Sequence, residues 1–360
     1  MSGEYGFIPF ETCTVQRESF EAFTHDRFRE NLCRGQWTFR LTNTTRMVIN
    51  TGTDEEGFPK ARNAAKSWLK SSHPVHLGQP VIPCSSLKGL IRSLYECLTH
   101  SCLKQVAESY RDYQSGGKHC LEPKPYEVEP LLSDLNGLKP CTELRKLCPA
   151  CRLFGTLTRG TVWKGRVFIG DGMLEPGQNP ELKPKTLPIL STPRPKRREN
   201  SQFPDYFPNG CMAGRKRYQA GTRTKRVAGK PHSRTHDHGL REVTGETLKP
   251  NHHFTVRVGY QNLTRAEVGV LLRCFLLEEG LHHVLGSAKA HGWGACHFAL
   301  TDWKRIDPVA RYRGENGIRT IDPENWEAEH DALLAEARAC KLYHPNAFEK
   351  LRPFLKAVPS

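Results

Sequence analysis

Alternation of apolar and polar residues predicts the strands of this chain. The run from Gln36 to Thr42 places Trp37, Phe39 and Leu41 on one face and polar side chains on the other. A period of two is typical of a strand with one buried face. Residues 46–50 extend this strand, and further strands are predicted at residues 166–169, 253–258 and 296–300.

Three helices are predicted between these strands. The first has apolar residues at Leu87, Ile91 and Leu94 and extends to about residue 102, with Ser85 and Ser86 placed as its N-cap. The second begins after Thr264, where Glu267 completes a capping box. The third covers about residues 324–339 and precedes a polar tail.

The order of these elements predicts the fold class. Strand, helix, strand, insertion, strand, helix and strand together suit an α+β protein with a ferredoxin-like βαββαβ core that carries large insertions. We expect one domain over residues 1–360, with a cysteine-rich insertion at 103–155, a basic insertion at 174–250 and a helical tail at 320–360. An RNP-type aromatic motif is absent from the sequence, which argues against base stacking on the sheet.

Charge indicates the kind of partner. The formal net charge is +15, and the segment from Pro193 to Arg241 alone holds 13 Lys or Arg against 3 Asp or Glu. Such an excess favours a polyanionic partner. Aromatic residues, among them Tyr206 and Tyr218, are interleaved with the cations and favour RNA binding through phosphates and bases. A solvated basic loop is the alternative.

The cysteines suggest a structural metal site. No secretory segment follows Met1 and no apolar run has the length of a membrane span, so we expect a cytoplasmic protein, with no membrane partner, whose 13 cysteines stay reduced. Cys148 and Cys151 form a zinc-type knuckle, and Cys141 and Cys120 upstream complete four ligands for Zn²⁺, with His119 as a substitute. Reduced cysteines without metal are the alternative.

Two short segments are candidate phosphate sites. Ser85 and Ser86 at the start of the first predicted helix, with Lys88 and Arg92, offer backbone N–H groups and two cations. In the glycine-rich segment 286–294, Lys289 and His291 stand beside open backbone N–H groups. An ordinary helix cap and a plain turn are the respective alternatives.

Six motifs occur in an order that resembles a known family. They are Tyr-Gly-Phe-Ile-Pro at 5–9, Ile-Pro-Cys-Ser-Ser-Leu-Lys-Gly at 82–89, Cys-Pro-Ala-Cys-Arg-Leu-Phe-Gly at 148–155, the segment 165–174, Gly-Arg-Lys-Arg-Tyr at 214–218 and the segment 286–294. Together they resemble the RAMP superfamily of CRISPR–Cas proteins, in particular the backbone subunits of type III effector complexes and their type III-D-like relatives. Cys84 stands where the family usually has glycine, and the glycine-rich segment has fewer glycines than is usual in the family.

The resemblance implies partners and chemistry. It implies binding to crRNA, target RNA and other effector subunits, and a thumb-like role for the basic insertion. The RNA-binding residues expected in that insertion are Arg215, Lys216, Arg217, Tyr218, Arg223, Lys225 and Arg226. It also implies that Asp54, in the acidic loop 51–57, cleaves target RNA with Mg²⁺ as an endoribonuclease.

Two other interpretations stay open. The chain could be a catalytically silent structural subunit of the same complex. It could instead be a stand-alone crRNA-processing ribonuclease in which His232, His236 and His238 perform acid–base catalysis.

Overall fold

A computed structural model describes most of the chain. The described residues are 5–10, 15–19, 21, 24–49, 69–71, 74–103, 136–158, 161–187, 213–221, 243–322 and 325–357. Within these ranges, none of the helices combines the length and the apolar character that a membrane crossing requires.

The described elements include long runs of consecutive strands separated by helices. In chain order they are β1 (Tyr5–Ile8), β2 (Cys33–Asn43), β3 (Leu69–Ser71), β4 (Val75–His76), β5 (Gln79–Ile82), α1 (Cys84–Leu98), α2 (Pro149–Phe154), β6 (Gly155–Thr158), β7 (Thr161–Lys164), β8 (Val167–Ile169), β9 (Gly172–Leu174), β10 (Lys183–Leu187), β11 (Arg215–Tyr218), β12 (Val243–Thr247), β13 (His253–Leu263), α3 (Arg265–Phe275), β14 (His283–Val284), β15 (Ala295–Ile306), α4 (Pro308–Tyr312), β16 (Ile318–Ile321), α5 (Trp326–Ala339) and α6 (Pro345–Leu355). The protein is therefore mixed α/β.

One large antiparallel sheet organises the fold. Its main path runs β14-β15-β2-β13-β9-β5-β4, with β8 also pairing with β13 and β16 with β15. The long strands β2, β13 and β15 lie side by side at its centre. Smaller sheets join β10, β12 and β3, and pair β1 with β11. The helices α1 and α3, which contact each other, follow β5 and β13 in the chain.

The predicted alternation of β2 is confirmed, because its apolar face forms the core. Trp37, Phe39 and Leu41 are fully buried. The ring of Phe39 stacks on that of Phe275 in α3 with centroids 4.6 Å apart, and Trp37 packs 4.5 Å from the ring of Tyr260 on β13. Burial of such large aromatic side chains is the main favourable term that joins sheet to helix.

The helix boundaries were partly predicted. The capping box of α3 is confirmed: the Glu267 N–H donates to Thr264 Oγ1, and Glu267 accepts from the Thr264 N–H. For α1 the predicted N-cap was wrong, since Pro83 is the cap and Ser85 and Ser86 lie in the first turn. This helix ends at Leu98 rather than near residue 102.

After the third predicted helix, the segment described from its sequence as polar contains a further helix, α6. Pro345 begins this helix. A backbone N–H at the first helical position has no partner within the helix, so the N–H that proline lacks is not needed there. Phe348 and Leu351 are buried against the core, at 2% and 0% exposure. Apolar residues at a spacing of three therefore decide the structure of a segment whose average composition is polar.

A buried ion network joins α2 to α3. Glu267 is fully buried and accepts from Arg152 Nε at 3.1 Å and from Arg166 Nη2 at 2.6 Å. Burial by itself would raise the pKa of the Glu267 carboxyl, but the two guanidinium groups outweigh it and hold the pKa below its usual range. Arg166 is itself fully buried, so each charge in the network depends on the others.

We expect Glu267→Gln to lower the free energy of unfolding at neutral pH by about 3–5 kcal/mol, because two buried guanidinium groups lose their anion. Urea denaturation followed by circular dichroism measures this. Because the folded pKa of Glu267 is depressed, its contribution is complete at neutral pH and declines as the pH falls below about 4.3.

The matched control is Glu336→Gln. Glu336 bonds Arg265 at 2.6 Å, but both side chains are more than a third exposed. Its loss should change the free energy of unfolding by about 0–1 kcal/mol. Equal effects of the two substitutions would contradict a structural role for the Glu267 network.

Candidate metal centre and anion-binding surface

Four buried cysteines converge where α1 ends and α2 begins. They are Cys102, Cys141, Cys148 and Cys151, and their sulfur atoms all lie within 4.8 Å of one another. Cys102 Sγ is 3.5 Å from Cys148 Sγ and 3.6 Å from Cys151 Sγ. Each of the four is at most 2% exposed.

The separations fit a tetrahedral metal ion. Zinc–sulfur bonds of about 2.3 Å at tetrahedral angles place sulfur atoms about 3.8 Å apart. An all-thiolate donor set with no open position is typical of structural rather than catalytic zinc. The cluster could therefore hold a metal ion such as zinc.

Local backbone structure positions the knuckle. Cys148 is the N-cap of α2, Pro149 is the first helical residue, and the Cys151 N–H donates to Cys148 Sγ at 3.4 Å. The Cys148 N–H donates in turn to Cys141 Sγ at 3.2 Å. Backbone donors aimed at sulfur stabilise thiolates, which are the form that binds metal.

Hydrogen bonding within the cluster favours negative charge on Cys148. Burial by itself would raise the pKa of this thiol, but hydrogen bonds with Cys102, Cys141 and Cys151 hold it well below its usual range. Among the four cysteines, Cys148 is therefore the one whose surroundings most favour the thiolate form that binds metal.

The structure brings together three of the four predicted ligands and adds one that the sequence did not suggest. Cys102 was missed because it stands alone, just after α1 and far in sequence from the knuckle. The position of Cys102 at the end of the predicted first helix was the available signal, because the turn after a helix can direct a side chain back toward the core. Cys120 and His119 lie outside the described residues.

The start of α1 presents Ser85 at the surface. The Cys84 N–H donates to Asp171 Oδ1 at 2.6 Å, so a carboxylate already occupies one donor of the first turn. Ser85 is exposed and Ser86 and Lys88 are half-buried. At this end of the helix the Ser85 hydroxyl is therefore exposed, while the Asp171 carboxylate already accepts from a backbone N–H.

Arg92 faces the metal centre rather than the solvent. Its guanidinium donates to Glu96 Oε1 at 2.7 Å, to the Gly155 carbonyl at 2.8 Å and to Cys151 Sγ at 3.4 Å. Only 14% of the side chain is exposed. Its position favours a supporting role over direct contact with RNA.

In β11 the side chains alternate between two roles. Arg215 donates to the Ser101 and Cys102 carbonyls and lies 3.6 Å from Glu96, and Arg217 donates to the Ser93 carbonyl. Lys216 and Tyr218 lie on the other face of the strand. Lys216 Nζ lies 4.0 Å from the ring centroid of Tyr5 and 5.1 Å from that of Tyr218.

The glycine-rich segment 286–294 packs closely on its neighbours. Gly286 and Gly294 have φ of +88° and +84°, and a Cβ at Gly294 would lie 1.8 Å from the Leu285 carbonyl oxygen. Glycine is therefore required there by both backbone conformation and space. A short 3₁₀ turn, Lys289–His291, forms the middle of the segment.

Lys289 lies in an electropositive environment. Burial lowers the pKa of its ammonium group, and the charge of Arg217 lowers it further. Burial also lowers the pKa of Arg217, with Arg215 adding to the effect. An anion placed beside Lys289 would relieve this repulsion between partly desolvated cations.

A family model described as the RAMP superfamily matches residues 40–297, which is well over half of the 360-residue chain. The chain belongs to the RAMP superfamily. RAMP proteins are RNA-binding components of CRISPR–Cas effector complexes and have ferredoxin-like folds. No curated protein matches the sequence.

Several residues expected to act in this RAMP protein lie outside the described part of the chain. They are Asp54, Arg223, Lys225, Arg226, His232, His236 and His238. The described backbone also includes His291, in the 3₁₀ turn beside Lys289. Of the predicted residues, Arg92 and Arg215 meet at Glu96 on α1, Arg217 donates to the Ser93 carbonyl, and the charge of Arg217 acts on Lys289.

Proposed function

We propose that this chain is a backbone subunit of a type III CRISPR effector complex, in the type III-D-like branch, and that it holds crRNA by its phosphates. Target RNA and neighbouring effector subunits are its other partners. The family membership supports the general role. The specific proposal depends on the electrostatics around Glu96.

The observation that carries the proposal is an excess of desolvated positive charge. Arg92 and Arg215 pair with Glu96, whose charge also acts on Arg217, and the charge of Arg217 acts on Lys289. Within the described ranges, Glu96 is the one carboxylate that pairs with any of these four cations. Partly buried cations without an anion are unfavourable, and a phosphate supplies that anion. Lys289 is the half-buried cation on the glycine-rich segment, so it is the residue proposed to contact the phosphate.

The strand order supports a ferredoxin-like core. In space, β15, β2, β13 and β9 lie side by side in that order, and each strand is antiparallel to the next. The fourth, first, third and second strands of a βαββαβ unit occur in that order, with α1 and α3 as its two helices. The glycine-rich segment precedes the last of these strands.

Zinc is proposed as the structural metal of the four-cysteine cluster. Its role would be to hold the end of α1 to α2, next to the packing of Tyr95 on Phe154 with ring centroids 5.6 Å apart. Because Arg215 binds the Ser101 and Cys102 carbonyls, the metal would also hold β11 in place.

We expect the purified protein to contain about one zinc per chain, measured by atomic emission, because four thiolates form a closed site. Cys102→Ser should lose most of the metal and lower the melting temperature. Cys340→Ser, at an exposed cysteine, is the control. Cys120→Ser tests the alternative ligand: loss of zinc in that variant and retention in Cys102→Ser would overturn the assignment.

We expect Lys289→Ala to weaken crRNA binding and to reduce the slope of log affinity against log salt by about one, since one phosphate contact is lost. Fluorescence anisotropy over a salt series measures both quantities. Arg319→Ala is the control, because it removes an exposed cation on β16, at the opposite end of β15. If the slope of log affinity against log salt is the same for Lys289→Ala and the native chain, the phosphate contact is contradicted.

Catalysis by Asp54 is proposed from the resemblance. We expect Asp54→Ala to abolish one or more Mg²⁺-dependent cuts in target RNA by the reconstituted complex, while crRNA binding stays intact. Glu56→Ala, two residues away in the same acidic loop, is the control. An unchanged cleavage pattern would instead make the chain a catalytically silent subunit.

A further inference from the structure

The central sheet has a second face that points away from the helices. Along β2, Trp37, Phe39 and Leu41 face the core, and Thr38 and Arg40 face outward. The outward positions on neighbouring strands follow from the pairing register. The outer sheet face is defined here by Thr38, Arg40, Phe168, Met173, Thr255 and Arg257.

Phe168 is exposed on this face beside a strand position that lacks a side chain. It pairs with Gly259 on β13, and 42% of the residue is exposed. Met173, on the adjoining strand β9, is 39% exposed and pairs with Thr255. The ring of Phe168 therefore offers a flat apolar surface to a molecule approaching the sheet.

Cations surround this ring. Lys164 Nζ lies 5.5 Å from the centroid of the Phe168 ring. Arg257 is exposed two residues before Gly259 on the same face of β13. Neither Lys164 nor Arg257 forms an ion pair with a residue that the structure describes. Arg40 is a third cation on this face, with 51% of its side chain exposed, and it forms an ion pair with Glu175 at 2.9 Å.

The residues on the outer sheet face indicate which class of molecule binds there. Cores of protein–protein interfaces are depleted of charged residues, whereas single-stranded nucleic acids bind where aromatic rings stack with bases and cations pair with phosphates. A duplex does not fit as well, because its bases are already stacked. We infer that the outer sheet face is a second RNA-binding surface, where a single-stranded base stacks on Phe168 and adjacent phosphates pair with Arg257 and Lys164.

This inference rests on the proposed function, since it assumes that the chain binds RNA, but it concerns a surface distinct from Lys289. It also identifies an aromatic contact that no RNP-type motif indicates. Phe168 reaches the sheet surface because β8 pairs with β13, and the sequence shows only a short apolar run there.

The test measures binding of the full chain to a fluorescein-labelled oligouridylate and to a matching RNA duplex. Phe168→Leu keeps an apolar side chain and removes the aromatic ring. It should weaken binding to the single strand about tenfold without changing the salt slope or the duplex affinity. Arg257→Ala should weaken binding to the single strand and lower its salt slope by about one. Leu157→Ala, at a residue 70% exposed on β6, is the control and should have no effect.

The outcomes separate the inference about the outer sheet face from the proposed function. If Phe168→Leu and Arg257→Ala both bind the single strand as tightly as the native chain, while Lys289→Ala does not, the outer sheet face is not an RNA site and the proposed function stands. If the native chain binds neither RNA, both proposals fail. Circular dichroism and melting curves of each variant confirm folding, and Arg257→Ala decides the question if Phe168→Leu is unstable.

Discussion

The buried carboxylate of Glu267 is the interaction on which the rest of the structure depends. It caps α3, and it also neutralises Arg152 from α2 and Arg166 from the bend that precedes β8. Because α3 packs on the central sheet through Phe275, this network connects the cysteine cluster to the hydrophobic core. A buried ion network of this kind stabilises only as a complete set, since the loss of one member leaves uncompensated charge in a medium of low polarity.

From the cysteine cluster, hydrogen bonds and charge interactions lead to the proposed phosphate site. Arg92 contacts both Cys151 and Glu96, Glu96 pairs with Arg215, and Arg217 follows two residues later on β11. The charge of Arg217 then acts on Lys289 in the glycine-rich segment. The cysteine cluster and the proposed phosphate site are therefore connected through these polar residues.

Much of the fold and part of the site were predictable from local pattern. Alternation identified β2, and the Thr264–Glu267 capping box identified α3, because both depend on neighbours within a few residues. The knuckle cysteines were recognisable for the same reason. In β11, however, the basic run looked like a uniform RNA-binding strip, while the pleat turns Arg215 and Arg217 inward to backbone carbonyls and leaves Lys216 and Tyr218 on the other face.

The sequence by itself determined the order of the core elements, the basic character and the resemblance to RAMP proteins. Only the tertiary structure decided that Cys102 joins the knuckle, that Arg92 supports the cluster, and that Phe168 lies on the open face of the sheet. The reason is physical. Periodicity and capping are short-range properties of the chain, whereas the direction of a given side chain depends on strand register and packing between residues that are distant in sequence.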